Sequence, residues 1–357
     1  MTAQDPTEGS HQPLRLHVAA FASTLLDIRG RLPSVALTSD PALESTFAQG
    51  LPIALPATPP GQPKVLVLQR PFYDTEERML GDLTHILANG WVVVIDVDDH
   101  PDFIAEQQGR AKAPTDWPKF AHVHAVQTST PALAQAFRTQ NPEVKVFENA
   151  VFDLPPFPER SGSPSVFYGA VNRGSFPVQV AASLKNVLGD NPRTSFVVVH
   201  DRAVFDALPT KRKTFHPTLS YEAYLEVLAG CDINLSPLQG APGEAYKSDA
   251  KFLDAARSGV LTIASPTVYA DTIRDGETGL IASDLRDWDR QLRIALRNGD
   301  KRRAMARAAW DYVREERMFA QQAAERRDWY LSLWANREAL TRDLLARAPA
   351  LAARLKA

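Results

Sequence analysis

The stretch Lys247-Ser-Asp-Ala-Lys251-Phe-Leu-Asp254-Ala-Ala-Arg-Ser-Gly259-Val-Leu-Thr-Ile-Ala-Ser-Pro266 reads as a charged helix, with two lysines and a carboxylate, running into a buried strand. Val260 to Ala264 has the length and β-branched content of a strand covered on both faces, the mark of a parallel sheet. On the preceding helix Lys251 and Asp254 lie three apart and share one side. After the strand, Ser265-Pro266-Thr267 opens what reads as another helix. Its free N–H groups, around Thr267, Val268 and Tyr269, would suit an anionic ligand at the carboxyl edge of the sheet. Lysines most often sit on solvated faces. Here Gly240-Ala-Pro-Gly243 makes a flexible loop ahead of the helix and a ligand-facing strand edge follows, which favours ligand contact for Lys251. Lys247 stays open between the two readings.

Outward from this stretch the same alternation recurs. Leu14 to Ala20, Lys64 to Leu68, Trp91 to Ile95, His124 to Gln127 and Val144 to Phe147 are short apolar runs separated by helical patterns, which argues a parallel sheet with helices on both faces. Met79, Leu83 and Ile86 give Asp74 to Ala88 its helical period, and Asn89-Gly90 is a suitable stop. Ser129-Thr130-Pro131 offers an N-cap and a first-turn proline for a helix through Phe137. Residues 1–12 are polar and without periodicity, so they read as a disordered tail. The proline-rich run 154–164 breaks regular structure and separates a unit at 13–153 from one at 165–317. Residues 318–357 read as helical. There Trp329, Tyr330, Leu333 and Trp334 form a largely apolar stripe at helical spacing, whose plain reading is core.

Val166-Phe-Tyr-Gly169, Phe196-Val-Val-Val-His200, the run Tyr221 to Pro237, the lysine helix and Asp275-Gly276-Glu-Thr-Gly279 follow one another in an order and spacing that resembles the donor-binding half of retaining glycosyltransferases of the GT-B type, family 4-like. The resemblance spans Val166 to about Trp329. It implies an α/β fold of two Rossmann-like domains facing each other across a cleft, with C-terminal helices, a late one crossing back to the first unit, which would also account for the stripe at Trp329 to Trp334. It also implies a hexosyltransferase-type enzyme that takes a nucleotide-diphosphate sugar as donor, a glycan or lipid-linked hydroxyl as acceptor, and no essential metal or other cofactor. Bacterial surface-polysaccharide assembly is the setting by analogy. Asp254 falls on the second acid of the family's Glu-x7-Glu motif, which accepts hydrogen bonds from the donor ribose. The first acid falls on Tyr246, a departure, with Glu244 two residues earlier as a substitute. Arg173, after Gly169-Ala-Val-Asn172, is close to where the family places a phosphate-facing cation. An arginine fork can meet two phosphate oxygens, although an exposed loop arginine reads equally well. Donor contacts are thus expected at Arg173, Lys247, Lys251, Asp254, Thr267, Val268 and Tyr269, with Arg173 and Lys251 the candidates for catalysis. No general base is assigned.

In the first half, Asp96-Val-Asp98-Asp99-His100 ends an apolar strand, so its acids emerge at a carboxyl edge. Acceptor-side contact by Asp98, Asp99 and His100 ranks first, helix capping second and metal binding last. His122 and His124 would share a face if their segment is a strand, and core or edge positions are expected of them. Gln127 to Thr130 read as lining the cleft, and Asn149 as structural. The one cysteine, Cys231, reads as an inert buried thiol.

The chain has 357 residues, 44% of them hydrophobic and 23% charged, enough for two domain cores. A net charge of −2 makes no case for nucleic acid. No apolar run approaches the ~20 residues of a membrane span, and the polar start lacks a signal-peptide core. A cytoplasmic protein is expected, with peripheral membrane contact left open. Two rivals remain: a sugar-nucleotide epimerase or hydrolase of the same fold, and a non-catalytic binding protein, for which Tyr246 is the best support.

Overall fold

The computed structural model describes residues 12–356 apart from 22–25, 51–52, 108 and 172. The expected disordered tail lies outside the described residues but for Gln12. Two parallel sheets of six strands carry the fold. The first contains β1 (Leu14–Ala20), β2 (Leu43–Gln49), β3 (Lys64–Gln69), β4 (Val92–Asp96), β5 (Ala125–Thr128) and β6 (Val144–Val146), in the order β2-β1-β3-β4-β5-β6. The second contains β7 (Ser165–Gly169), β8 (Ser195–Val199), β9 (Lys213–His216), β10 (Ile233–Ser236), β11 (Leu261–Ala264) and β12 (Leu280–Ile281), in the order β12-β11-β10-β7-β8-β9. Central strands such as β4 and β11 are buried at every residue, as their unbroken apolar runs require.

The strands absent from the sequence reading are β2, β9 and β12, and all three are sheet edges. An edge strand is covered less completely, so Leu-Glu-Ser-Thr-Phe-Ala-Gln and Lys-Thr-Phe-His carry mixed polarity that does not stand out from a loop. Caps set the helices between strands. Thr75 accepts from the Arg78 N–H ahead of Glu76–Ala88, and Gly90 takes a φ of 74° beyond its end. Thr130 caps Pro131–Phe137 in the same way.

Residues 154–164 contain no helix or strand. After helices Leu285–Arg297 and Gly299–Glu316 close over the second sheet, Met318 pairs in parallel with Val151, so the chain crosses between the units twice at one place. Helices Ala320–Ala335, Arg337–Arg347 and Pro349–Lys356 then lie on the first unit. Trp329, Tyr330 and Leu333 share a core with Phe147 and Val65, while Leu344 and Leu351 share one with Leu83 and Ile86. The apolar stripe therefore does both things open to it: the chain crosses back and the stripe packs as core.

His124 precedes β5 and His122 lies in the turn before it, so the two never share a strand face. The His124 Nδ1 accepts from the Val93 N–H at 2.9 Å, which leaves the proton on Nε2 to face Thr341 Oγ1 at 3.1 Å on a returning helix. Burial and the Arg347 charge push this imidazole down from 6.5 to about 4. The folded state holds it neutral while the unfolded chain protonates near 6.5, so its stabilisation is complete above that pH and is lost as pH falls toward 4. Urea unfolding should show on the order of 3 kcal/mol of extra loss between pH 7 and pH 4 in the native protein relative to His124→Gln. Matching pH slopes in the two proteins would remove His124 from the account.

Candidate functional site

The carboxyl edges of β7, β10 and β11 bring together a loop, a helix and a strained turn. Gly169 ends β7, where a Cβ would come within 2.6 Å of the Phe167 ring and 2.8 Å of Tyr224, so only glycine lets the chain pass there. The loop it opens carries Arg173, which is in electrostatic reach of Lys251 and Tyr224.

Lys251 and Asp254 project from one side of helix Ala250–Arg257, with Lys251 Nζ 3.7 Å from Asp254 Oδ2. The ammonium also sits 4.0 Å above the centroid of Tyr224. Asp254 Oδ1 accepts from the Tyr221 hydroxyl at 2.8 Å. Exposure separates the two ends of the pair: 28% of the Lys251 side chain is accessible against 6% for Asp254. The carboxylate is sealed beneath and the ammonium sits above it. Burial raises the pKa of Asp254 against the pull of Lys251 and Tyr221. Burial, with help from Arg173, lowers that of Lys251 against the pull of Asp254. The same burial, reinforced by Asp254, raises the hydroxyls of Tyr221 and Tyr224. Lys251 thus stands over one enclosed carboxylate among neutral phenols, with Arg173 in electrostatic reach of it, an excess of positive charge suited to an anion with several oxygens.

The turn after β11 differs from expectation. No helix starts at Thr267; residues 267–272 form turns, closed by the Ala270 N–H to Pro266 O at 3.0 Å and the Ile273 N–H to Tyr269 O at 2.7 Å. Val268 holds a φ of +57°, a strained conformation for a β-branched residue. Tyr269 is buried, and its hydroxyl is raised by that burial. The helix-terminus reading of Thr267, Val268 and Tyr269 is replaced by a strained turn beside the cations.

Lys247 is off the helix, in extended backbone, and its Nζ lies 2.7 Å from Asp99 Oδ1 of the first unit. Arg70, itself at a φ of +50°, meets Asp98 Oδ1 at 2.7 Å and Asp99 Oδ2 at 3.1 Å. Burial would raise the Asp98 carboxyl, but Arg70 and Arg29 hold it below the usual range. Asp98 and Asp99 are therefore ion-paired with cations of the chain itself. The His100 ring lies against Tyr246 at 4.3 Å, and burial lowers its pKa. Tyr246, at the first motif acid, faces the first unit. Glu244 cannot replace that acid: it is buried, its Oε2 accepting the N–H groups of Gly240 at 2.7 Å and Ala241 at 3.1 Å to close its own loop. Of the cleft-lining run, Thr130 donates to Tyr246 O at 3.5 Å while Gln127 is buried on Asp96. Asn149 donates to Ser248 at 2.8 Å. Cys231 is buried and its thiol is pushed up to about 11.

Sequence reasoning passed over Tyr221 and Tyr224, although their spacing of three on helix Tyr221–Ala229 was a visible aromatic pair. It also passed over Arg29, whose Nη2 meets Asp96 Oδ2 at 2.8 Å in the core. Nothing near Arg29 in the sequence signals that partner.

Two parallel α/β units with their carboxyl edges meeting, and a cationic site on the second, define the GT-B architecture. Residues 181–328, most of the second unit, match the family model described as glycosyl transferase-like. The chain is similar in fold to HepE of Anabaena, solved with UDP and glucose, at 12% identity and a TM-score of 0.61 over 89% of this chain and 100% of that one. It is similar to WaaG, a glycosyltransferase of lipopolysaccharide biosynthesis, at 12% identity and 0.57 over 89% and 99%. It is also similar to sucrose-phosphate synthase of Thermosynechococcus elongatus, at 11% identity and 0.61 over 90% and 100%. No curated protein matches the chain.

Proposed function

We propose that this protein is a retaining glycosyltransferase that moves a sugar from a nucleotide-diphosphate donor to a hydroxyl of a glycan or lipid-linked acceptor. The observation that carries the reading is Lys251 above the sealed Asp254, with Arg173 in electrostatic reach of the ammonium, at the carboxyl edge of the second sheet. Departure of the diphosphate from the anomeric carbon builds negative charge on its oxygens, and cations already in place stabilise that charge without reorganisation. The site is of the kind that needs no metal, because protein cations supply the positive charge. A cytoplasmic enzyme of surface-polysaccharide assembly, working in solution or at a membrane face, fits this chemistry. Among the described residues no helix is long and apolar enough to cross a membrane.

A second reading is a binding protein that keeps the anion site without turnover, favoured by Tyr246 in place of a motif acid and by the enclosure of Asp254. Calorimetry with UDP, beside a transfer and hydrolysis assay on UDP-glucose, separates the two. UDP binding is expected to be the same with and without EDTA. A loss in EDTA that only a divalent ion restores would count against a site made of protein cations.

A further inference from the structure

Lys247, Ser248 and Asp249 are consecutive; the first two reach partners in the first unit, and the third holds the arginine at the point where the chain crosses back to it. Lys247 meets Asp99 at 2.7 Å, Ser248 accepts from Asn149 at 2.8 Å, and Asp249 receives Arg317 at 2.6 and 3.1 Å. These three attachments are not equivalent. Arg317 also donates to Asn149 O at 3.0 Å and directly precedes Met318, so Asp249 is tied where the two chain crossings Val151 and Met318 pair. That ion pair is enclosed, its side chains only 7% and 11% exposed. Breaking it would leave a buried charge uncompensated.

At the other end of the strap the contacts are less enclosed. Lys247, Asp99, Asp98 and Arg70 keep 16–23% of their side-chain surface in solvent, so water replaces each partner when the pair separates. Tyr246 rests on His100, and Gly243 lies so close to Phe103 that a Cβ would come within 1.3 Å of the ring. A rotation about the crossings at Val151 and Met318 moves the Asp249 end least and the Gly243-to-Lys247 end most. The segment that would move is joined through Ser248 and Asp249 to the helix bearing Lys251.

We propose that Asp99 is a positioning residue: by holding Lys247 it latches the first unit over the donor loop, with Asp249 and Arg317 as the pivot. Its effect on donor binding rests on the reading of Lys251 and Arg173 as the diphosphate site; the latch itself does not. Closure driven this way brings the acceptor side of β4 to the donor side of β11 and excludes water between them.

The test compares native protein with Asp99→Lys, which sets a third cation against Arg70 and Lys247, and with Asp99→Lys combined with Lys247→Glu. Small-angle scattering should show a larger radius of gyration for the single variant at an unchanged melting temperature, and recovery in the double variant. UDP affinity should fall roughly ten-fold in the single variant and recover in parallel. A single variant as compact as the native protein overturns the latch, as does an opening that Lys247→Glu does not reverse. If Asp99→Lys does not fold, Lys247→Gln is read by the same two measurements. Native protein that binds no UDP would end the donor reading, while scattering would still decide the latch. An opened variant that binds UDP as tightly as native protein would show that the latch does not position the donor loop.

Discussion

A Lys251→Ala variant is expected to lose about 100-fold in turnover of a UDP-sugar and to bind UDP weakly, while uridine binds as it does to the native protein. The asymmetry follows from where the ammonium sits. Its contact with Asp254 is loose at 3.7 Å, its other neighbour is the Tyr224 ring face, and over a quarter of its side chain faces out. What it has left to offer is charge, and among these ligands only the diphosphate is charged. Removing it strands Asp254 with Tyr221, but burial already raises that carboxyl, so it can take up a proton in place of an unmatched charge. Parallel losses for uridine and UDP with a lowered melting temperature would mean that Lys251 only holds its helix in place. Unchanged turnover would end the donor-site assignment.

Central strands and capped helices were legible because their signals are local. A run such as Val92 to Asp96 announces burial on both faces by its own composition, and Thr75 or Thr130 marks a helix start within four residues. The lysine helix and its strand were legible for the same reason. The turn at Thr267 was not: Pro266 suits a helix start, but Val268 takes a φ of +57°, which no right-handed helix accommodates, and the backbone closes in turns instead. Nor was the fate of the acidic pair. Asp98 and Asp99 do emerge at a carboxyl edge as read, yet Arg70 and Lys247, far away in sequence, come to the same edge and claim them. Tyr246 looked like a defective motif position when judged against its own segment. Across the boundary it is the surface on which His100 rests. The partners of residues that face the other unit are not visible when the sequence is read along the chain.

The largest stability change is expected from Arg29→Ala, about 3–5 kcal/mol in urea unfolding. Strand register places Gln69, Asp96 and Gln127 side by side at the ends of β3, β4 and β5. Asp96 there is fully enclosed, receiving Arg29 Nε at 3.3 Å, Arg29 Nη2 at 2.8 Å and Gln127 Nε2 at 2.7 Å. Gln127 Oε1 in turn accepts from the Tyr330 hydroxyl at 2.7 Å, so the network fastens a returning helix to the sheet. Burial alone would lower the Arg29 pKa, but Asp96 more than offsets it, so the guanidinium stays charged in the core. Truncating Arg29 therefore leaves a carboxylate in the interior with one amide as partner, and also frees Phe147 O, which accepts Arg29 Nη1 at 2.5 Å. Arg29→Met combined with Asp96→Asn removes both charges and keeps volume, so it should be clearly more stable than Arg29→Ala despite carrying two substitutions. A double variant as unstable as the single would show that the loss comes from packing and from Phe147 O, and that the enclosed charge of Asp96 adds little.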